Sequence, residues 1–334
     1  MMRHSAGWVT LGLLMVLAAC SPVDIATRAA ASPSPISTNT PIPQPTVTAT
    51  ATVTATIEPT LQPMPLNPSD CRVDSCTLDG DFWLQRPVDP PAEQHADNSY
   101  LYGSSQNGKR IPHSGVEFYN ATGTPVLAAA DGRVVYAGND ASTAFAPWTN
   151  FYGNLVVLEH ATPRGEPFYT LYAHLSEIDV QSGTSVQAGQ VIAKVGMSGS
   201  AIGSHLHFEV RTTPTDYTAT RNPFLFLTPL AGTDGARLAV LAGQIIDQNG
   251  QLLPTAQLVA ERADLPENSA PQRYYLETYT AGVSSDPAWQ ENFVLGDLEP
   301  GRYRISFVYD GRLIERFVTL SAGQLTYLSL QVEN

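Results

Sequence analysis

Cations are scarce in this chain: 18 Lys and Arg stand against 31 Asp and Glu over 334 residues, for a formal charge of -13. Phosphate neutralisation needs clustered Lys and Arg, so this balance excludes a nucleic-acid partner. Charge of either sign is thin at 15%, below the ~25% of ordinary soluble domains. Part of that deficit lies in one uncharged tract near the N-terminus. Cysteine is scarcer still, with three residues. Cys71 and Cys76 have no further Cys or His beside them. In an oxidising compartment that spacing favours a small local disulfide over a metal site, with free thiols as the alternative. The apolar run Trp8 to Ala19 is too short to span a bilayer, which takes about 20 residues.

That run has another use. Arg3 precedes it and small residues end it at Leu17-Ala18-Ala19-Cys20, which is the layout of an export signal over residues 1–20. The tetrapeptide resembles the bacterial lipobox. The resemblance implies cleavage before Cys20, lipidation of its thiol, and an anchor on the outer face of the cytoplasmic membrane. Residues 21–68 are Pro, Thr, Ser and Ala with only Asp24, Arg28 and Glu58 charged. Such a tract buries too little apolar surface to offset the entropy of ordering, so it is expected to be a disordered or polyproline-like stalk. Fully extended it reaches roughly 150 Å.

The remainder predicts an all-β protein in two parts: a compact antiparallel β domain over 69–232 and a β-sandwich over 236–334. In the first, short strands are separated by glycine-containing turns without a long helical period. Val126–Ala130, Asp131-Gly132 and Arg133–Ala137 are expected to form a hairpin with a two-residue turn. Leu155–Glu159, Phe168–Ala173 and His205–Arg211 read as further strands, and glycines 183, 189 and 196 as tight corners. In the second part Leu238–Ile246 is a strand, and Tyr303–Tyr309 joins Leu313–Leu320 through Asp310-Gly311, a strong hairpin signal. The stretch Phe293 to Tyr303 resembles the transthyretin-like, carboxypeptidase-regulatory type of sandwich. No titratable cluster stands out there, which points to an accessory or spacing role.

Chemistry concentrates in the first part. On a strand, period two puts His205, His207 and Glu209 on one face and Leu206 and Phe208 on the other. Upstream, His113 and Glu117 lie four residues apart, with Gly115 between them to let the backbone turn or come close. Catalytic zinc sites use three protein ligands from His and carboxylate and keep one position open. His174 closes the apolar strand Leu171-Tyr172-Ala173-His174. Glu209 can steady an imidazole tautomer or pair with a nearby Arg. Tyr102 and Asn107 precede the site and are candidates for lining a substrate groove, whereas His95 and His160 carry no assigned role.

These residues stand in a larger pattern. Together with Gly123-Thr124-Pro125-Val126, Asp131-Gly132-Arg133-Val134-Val135, Tyr152-Gly153-Asn154, Tyr172-Ala173-His174-Leu175, Val186-Gln187-Ala188-Gly189-Gln190 and Gly203-Ser204-His205-Leu206-His207-Phe208-Glu209, the run resembles the lysostaphin and LytM type of zinc metallopeptidases, which cleave peptide bonds of peptidoglycan. The resemblance implies one zinc ion held by His113, Glu117 and His207, with His174 and His205 as the catalytic pair that orients water. The family usually has Asp where this chain has Glu117. Both are oxygen ligands zinc accepts, and the extra methylene must be absorbed by the backbone or the rotamer. Two other readings follow from the same residues. One is a LytM-like module that binds wall or regulates another hydrolase. The other is a lipoyl or biotin carrier, suggested by Val186 to Gly196, although Lys194 lacks the Met-Lys context of such turns.

Overall fold

The computed structural model describes residues 74–162 and 167–333. The signal segment, the stalk, Cys20 and Cys71 lie outside the described residues, and Cys76, inside them, is disulfide-bonded. Apart from one 3-10 turn at Pro223–Leu225, the regular structure among the described residues is β, so the all-β expectation holds.

The first part folds into two sheets. The larger has seven strands, in the order β11 (Thr220–Arg221), β10 (Leu206–Arg211), β6 (Pro167–Ala173), β5 (Asn154–Ala161), β4 (Gly132–Asn139) and β8 (Ser185–Val186), with β2 (Val116–Phe118) also paired to β10. The smaller orders β3 (Pro125–Leu127), β9 (Val191–Lys194) and β7 (Glu177–Ile178). Strand alternation sets the faces of β10: Leu206, Phe208 and Val210 enter the main hydrophobic core, which turns His207, Glu209 and Arg211 to the opposite side.

The expected hairpin at Asp131-Gly132 is not made. β3 pairs with β9, whereas β4 pairs with β5 and β8. Neither turn residue adopts the positive φ that a two-residue hairpin turn demands. Asp131 instead accepts the Ala188 N–H at 2.8 Å, and the chain crosses there from one sheet to the other. Lys194, on β9, pairs with Glu177 at 2.6 Å and sits at no hairpin tip.

The second part is a pair of four-stranded sheets. One contains β1 (Ser75–Leu78), β18 (Leu325–Gln331), β12 (Ala239–Ile246) and β15 (Phe293–Leu298); the other contains β14 (Arg273–Glu277), β13 (Gln257–Arg262), β16 (Gly301–Tyr309) and β17 (Arg312–Leu320). Leu241, Ile245, Leu295 and Leu328 from the first meet Leu258, Leu276, Ile305 and Val318 from the second in one core, which makes a sandwich. The β16–β17 hairpin forms as expected: Tyr309 faces Arg312, and Asp310 and Gly311 both have positive φ, 49° and 72°.

The first sheet of the sandwich is covered on both faces. From β12, Ala239, Leu241 and Ile245 point into the sandwich, while Val240 and Ala242 join the core that holds Tyr172 and Phe208 of the seven-stranded sheet. β1 pairs with β18, from Ser75 opposite Leu328 to Leu78 opposite Leu325. The hydrophobic core is thus continuous between the seven-stranded sheet and the sandwich.

Candidate metal centre

Strand register assembles the site. β2 runs antiparallel to β10 with Glu117 directly opposite His207, and such cross-strand partners share a face with Cβ atoms about 5 Å apart. On the other side of β10, Ala173 at the end of β6 is opposite His207, so the next residue, His174, arrives beside it. His174 takes a positive φ of 61°, which turns the chain at that point. Gly115 explains the short link from His113 to Glu117: a Cβ there would lie 2.3 Å from the Phe208 carbonyl oxygen. Only glycine lets the chain pass so close to β10.

Three acceptor atoms converge. His113 Nε2 lies 3.3 Å from His207 Nδ1 and 3.2 Å from Glu117 Oε1, and the Glu117 oxygen lies 3.7 Å from His207 Nδ1. The partners behind each ring assign the tautomers. His113 Nδ1–H donates to the Tyr100 carbonyl at 2.7 Å, and His207 Nε2–H donates to Glu209 Oε1 at 2.9 Å. The nitrogens facing one another therefore carry lone pairs, and a carboxylate oxygen joins them. Lone pairs gathered this way repel unless a cation or proton stands between them. Zinc holds nitrogen and oxygen ligands at ~2.0–2.2 Å in a tetrahedron, whose edges are then about 3.3–3.6 Å. The observed separations fit that donor set.

In the absence of metal a proton fills the same role. Burial pulls the His207 imidazole down, but hydrogen bonds and charge from Glu117 and Glu209 outweigh it and push the group up to about 9. For Glu117, burial is likewise overcome by the histidines, and its carboxyl is held well below the usual range. Metal binding at such a site releases protons.

His174 and His205 flank the cluster, their ring centres 4.8 Å apart. His174 Nδ1–H donates to the Ser198 carbonyl at 2.9 Å and His205 Nδ1–H to the Gly203 carbonyl at 3.1 Å. Their Nε2 atoms are left as lone-pair bearers. His205 Nε2 is buried without a hydrogen-bond partner and lies 3.1 Å from the second Glu117 oxygen. Burial above all lowers both groups, His174 to about 3.

Behind His207 lies a polar network. Glu209 and Arg211 are fully buried and ion-paired, and Ser114 and Tyr152 hydroxyls also donate to Glu209. Arg211 further donates to the Phe145 carbonyl at 3.0 Å and to the Tyr152 hydroxyl at 2.9 Å. Glu209 thus fulfils both expected roles at once, holding the His207 tautomer and pairing with an arginine. Asp140 fixes the loop bearing Tyr152 by accepting the N–H groups of Tyr152 and Gly153 at 2.8 and 3.0 Å. The Tyr152 carbonyl in turn accepts the N–H of His174 at 3.0 Å.

The cluster opens into a groove of about 370 Å³, walled by Tyr100, Arg110, Tyr119, Trp148, Phe151, Ile202 and Tyr217. Tyr102 and Asn107 do not line it. Tyr102 is buried, its hydroxyl bonded to Thr220, because Gly103 turns the chain with φ 78°. Asn107 borders a separate small cavity beside Glu277. His160 is a core residue, bridging the Asp131 carbonyl at 2.9 Å and Thr170 at 2.7 Å. Arg211 was available to sequence reasoning: the alternation that paired His207 with Glu209 reaches it two residues on. Tyr100, Arg110, Trp148 and Ser198 come from loops and gave no such signal.

Residues 111–220 match the model of peptidase family M23, so this segment is similar to that family. Over 114 residues it is 37% identical to the cell division protein DipM of Caulobacter vibrioides, covering 34% of this chain and 16% of that protein. It is 36% identical over 111 residues to the peptidoglycan DD-endopeptidase ShyB of Vibrio cholerae, covering 33% and 23%. It is 34% identical over 110 residues to the murein hydrolase activator NlpD of Escherichia coli, covering 33% and 24%. The likeness spans less than a quarter of each of these relatives.

Proposed function

We propose that this chain is a zinc-dependent endopeptidase of peptidoglycan, with His113, Glu117 and His207 as ligands. The observation that carries the reading is the meeting of three lone-pair atoms at 3.2–3.7 Å, the two imidazoles each aimed by a partner behind the ring. Nitrogen-rich ligation favours zinc over magnesium or calcium. When bound, zinc supplies the Lewis acidity that polarises a peptide carbonyl and makes water nucleophilic near neutral pH. The protein's own groups do the rest. His174 and His205 present Nε2 lone pairs beside the cluster, where they take the proton from attacking water and return one to the leaving amine. Tyr100, Glu209 and Ser198 keep the rings aimed. The apolar groove walls exclude water and lay the peptide across the site.

Export and anchoring through lipidated Cys20 belong to the same proposal, supported by the Leu17 to Cys20 tetrapeptide. They would tether the enzyme to the outer face of the cytoplasmic membrane, below the wall. A second reading is a wall-binding activator of another hydrolase. The name of the Escherichia coli relative favours it, as does Glu117 standing where Asp is usual.

The deciding experiment digests purified muropeptides with the zinc-loaded chain and follows the products by mass spectrometry. Cleavage abolished by a chelator and by Glu117→Ala supports the endopeptidase. Equal activity of Glu117→Ala sinks the ligand assignment, and absence of cleavage together with stimulation of a second hydrolase supports the activator.

A further inference from the structure

Arg110 is the one Arg or Lys in the wall of the groove, and Glu117 the one carboxylate. Glu117 is committed to the histidines, whereas Arg110 has no carboxylate within ion-pair distance among the described residues. It lies beside an aromatic platform. Its guanidinium carbon lies 5.0 Å from the centre of the Tyr100 ring. That ring in turn lies 4.2 Å from the His113 ring, nearly parallel to it at 8°. The Tyr100 hydroxyl donates to the Ile111 carbonyl, which fixes the platform. The cation is thus held within about 9 Å of a ligand ring, the span of two to three residues of extended peptide. A cation–π contact uses up none of the guanidinium N–H groups, whose fork matches a carboxylate with two parallel hydrogen bonds.

The rest of the wall suits a peptide. Trp148 and Tyr119 are 49% and 48% exposed and Ile202 is 82% exposed, an unusual cost for large apolar groups unless something covers them. These surfaces fit short aliphatic side chains beside the scissile bond. The net charge of -13 gives an anion no long-range attraction, so recognition must be by contact.

We infer that Arg110 reads a free carboxylate on the peptide substrate, on a residue within three positions of the scissile bond, and that the chain therefore selects carboxylate-bearing stem peptides over neutral or amidated ones. The inference deepens the peptidase reading and rests on it for the word substrate.

The test uses two synthetic cross-linked stem peptides that differ only in one group, a free side-chain carboxylate or its amide. Both are offered to the full zinc-loaded chain, to Arg110→Gln and to Arg110→Lys. KM is measured for cleavage, and Kd for the corresponding product peptides is measured by Trp148 fluorescence. The parent chain should favour the carboxylate by about tenfold in KM and Kd, the strength of one charge-assisted pair. The preference should fall to near unity in Arg110→Gln and recover in part in Arg110→Lys. A parent chain indifferent to the carboxylate, an Arg110→Gln variant that still discriminates, or binding of neither peptide overturns the inference. If neither peptide is cut while binding still discriminates through Arg110, the peptidase reading fails and the carboxylate site stands.

Discussion

The hydroxyl of Ser104 donates to the buried carboxylate of Glu277 at 2.6 Å. Ser104 lies in the loop before the metal site and Glu277 ends β14 of the sandwich. The Ser104 carbonyl also accepts the N–H of His113 at 3.0 Å, and Gly103, bonded to the His113 carbonyl at 2.8 Å, accepts the Thr280 N–H at 2.9 Å. The sandwich therefore supports the backbone that carries His113. This gives it a more direct part than the spacing role expected from its sequence.

Ser104→Ala removes that hydroxyl and leaves Glu277, whose other oxygen is already without a partner, with neither oxygen paired. A loss of about 1–3 kcal/mol in unfolding free energy is expected, together with weaker zinc binding through the displaced His113. Chemical denaturation and competition with a metal chelator measure the two effects. Zinc affinity unchanged in a destabilised variant would show that the sandwich does not support the site.

The Glu209–Arg211 pair invites a different comparison. Both groups are fully buried, and removing one charge of such a pair costs about 3–5 kcal/mol because the other is left uncompensated. Arg211→Met should lose stability by that amount. Glu209→Leu combined with Arg211→Met should regain much of it, since an apolar pair carries no buried charge. Zinc affinity should follow another rule, falling about 10–100-fold in every variant that lacks Glu209, because the His207 tautomer is no longer held. Recovery of zinc affinity in the double variant would refute the assignment of Glu209 to His207.

Glu291 supplies a pH dependence away from the His113, Glu117 and His207 cluster. Burial foremost, with the charge of Asp286, raises its carboxyl to about 8 from an ordinary 4.5, and it accepts from Tyr279 and from the Asp286 N–H. A carboxyl raised on folding binds its proton more tightly in the folded chain. Its contribution is full below about 4.5 and is lost as pH rises toward 8, at up to about 1.4 kcal/mol per pH unit. Glu291→Gln should therefore gain stability over the parent progressively from pH 5 to pH 8. Denaturant titrations of both proteins across that range decide it, and a constant difference between them rules the effect out.

Much of the site was legible because its geometry is local. His205, His207 and Glu209 alternate along one strand, so spacing alone put those three on one face, and Gly115 between His113 and Glu117 marked a place where the backbone turns or comes close. The Asp310-Gly311 hairpin was legible for the same reason: two adjacent residues accept positive φ. Asp131-Gly132 offered an equal signal and misled, because pairing to β9 and β5 outbid the local turn. Strand β12 carried a clue that went unread, since the nearly unbroken apolar run Ala239 to Gly243 marks a strand buried on both faces.

The sequence alone named the side chains that can meet a metal: strand period put His205, His207 and Glu209 on one face, and the family resemblance implied His113, Glu117 and His207 as the ligand set. Tertiary structure decided the rest. It alone turned Tyr102 inward and Arg110 onto Tyr100, buried Arg211 behind His207, and set Glu277 of the sandwich under the backbone of His113. Those relationships join residues up to 173 positions apart, and only the packing of one sheet on another determines which distant groups share the same few ångströms.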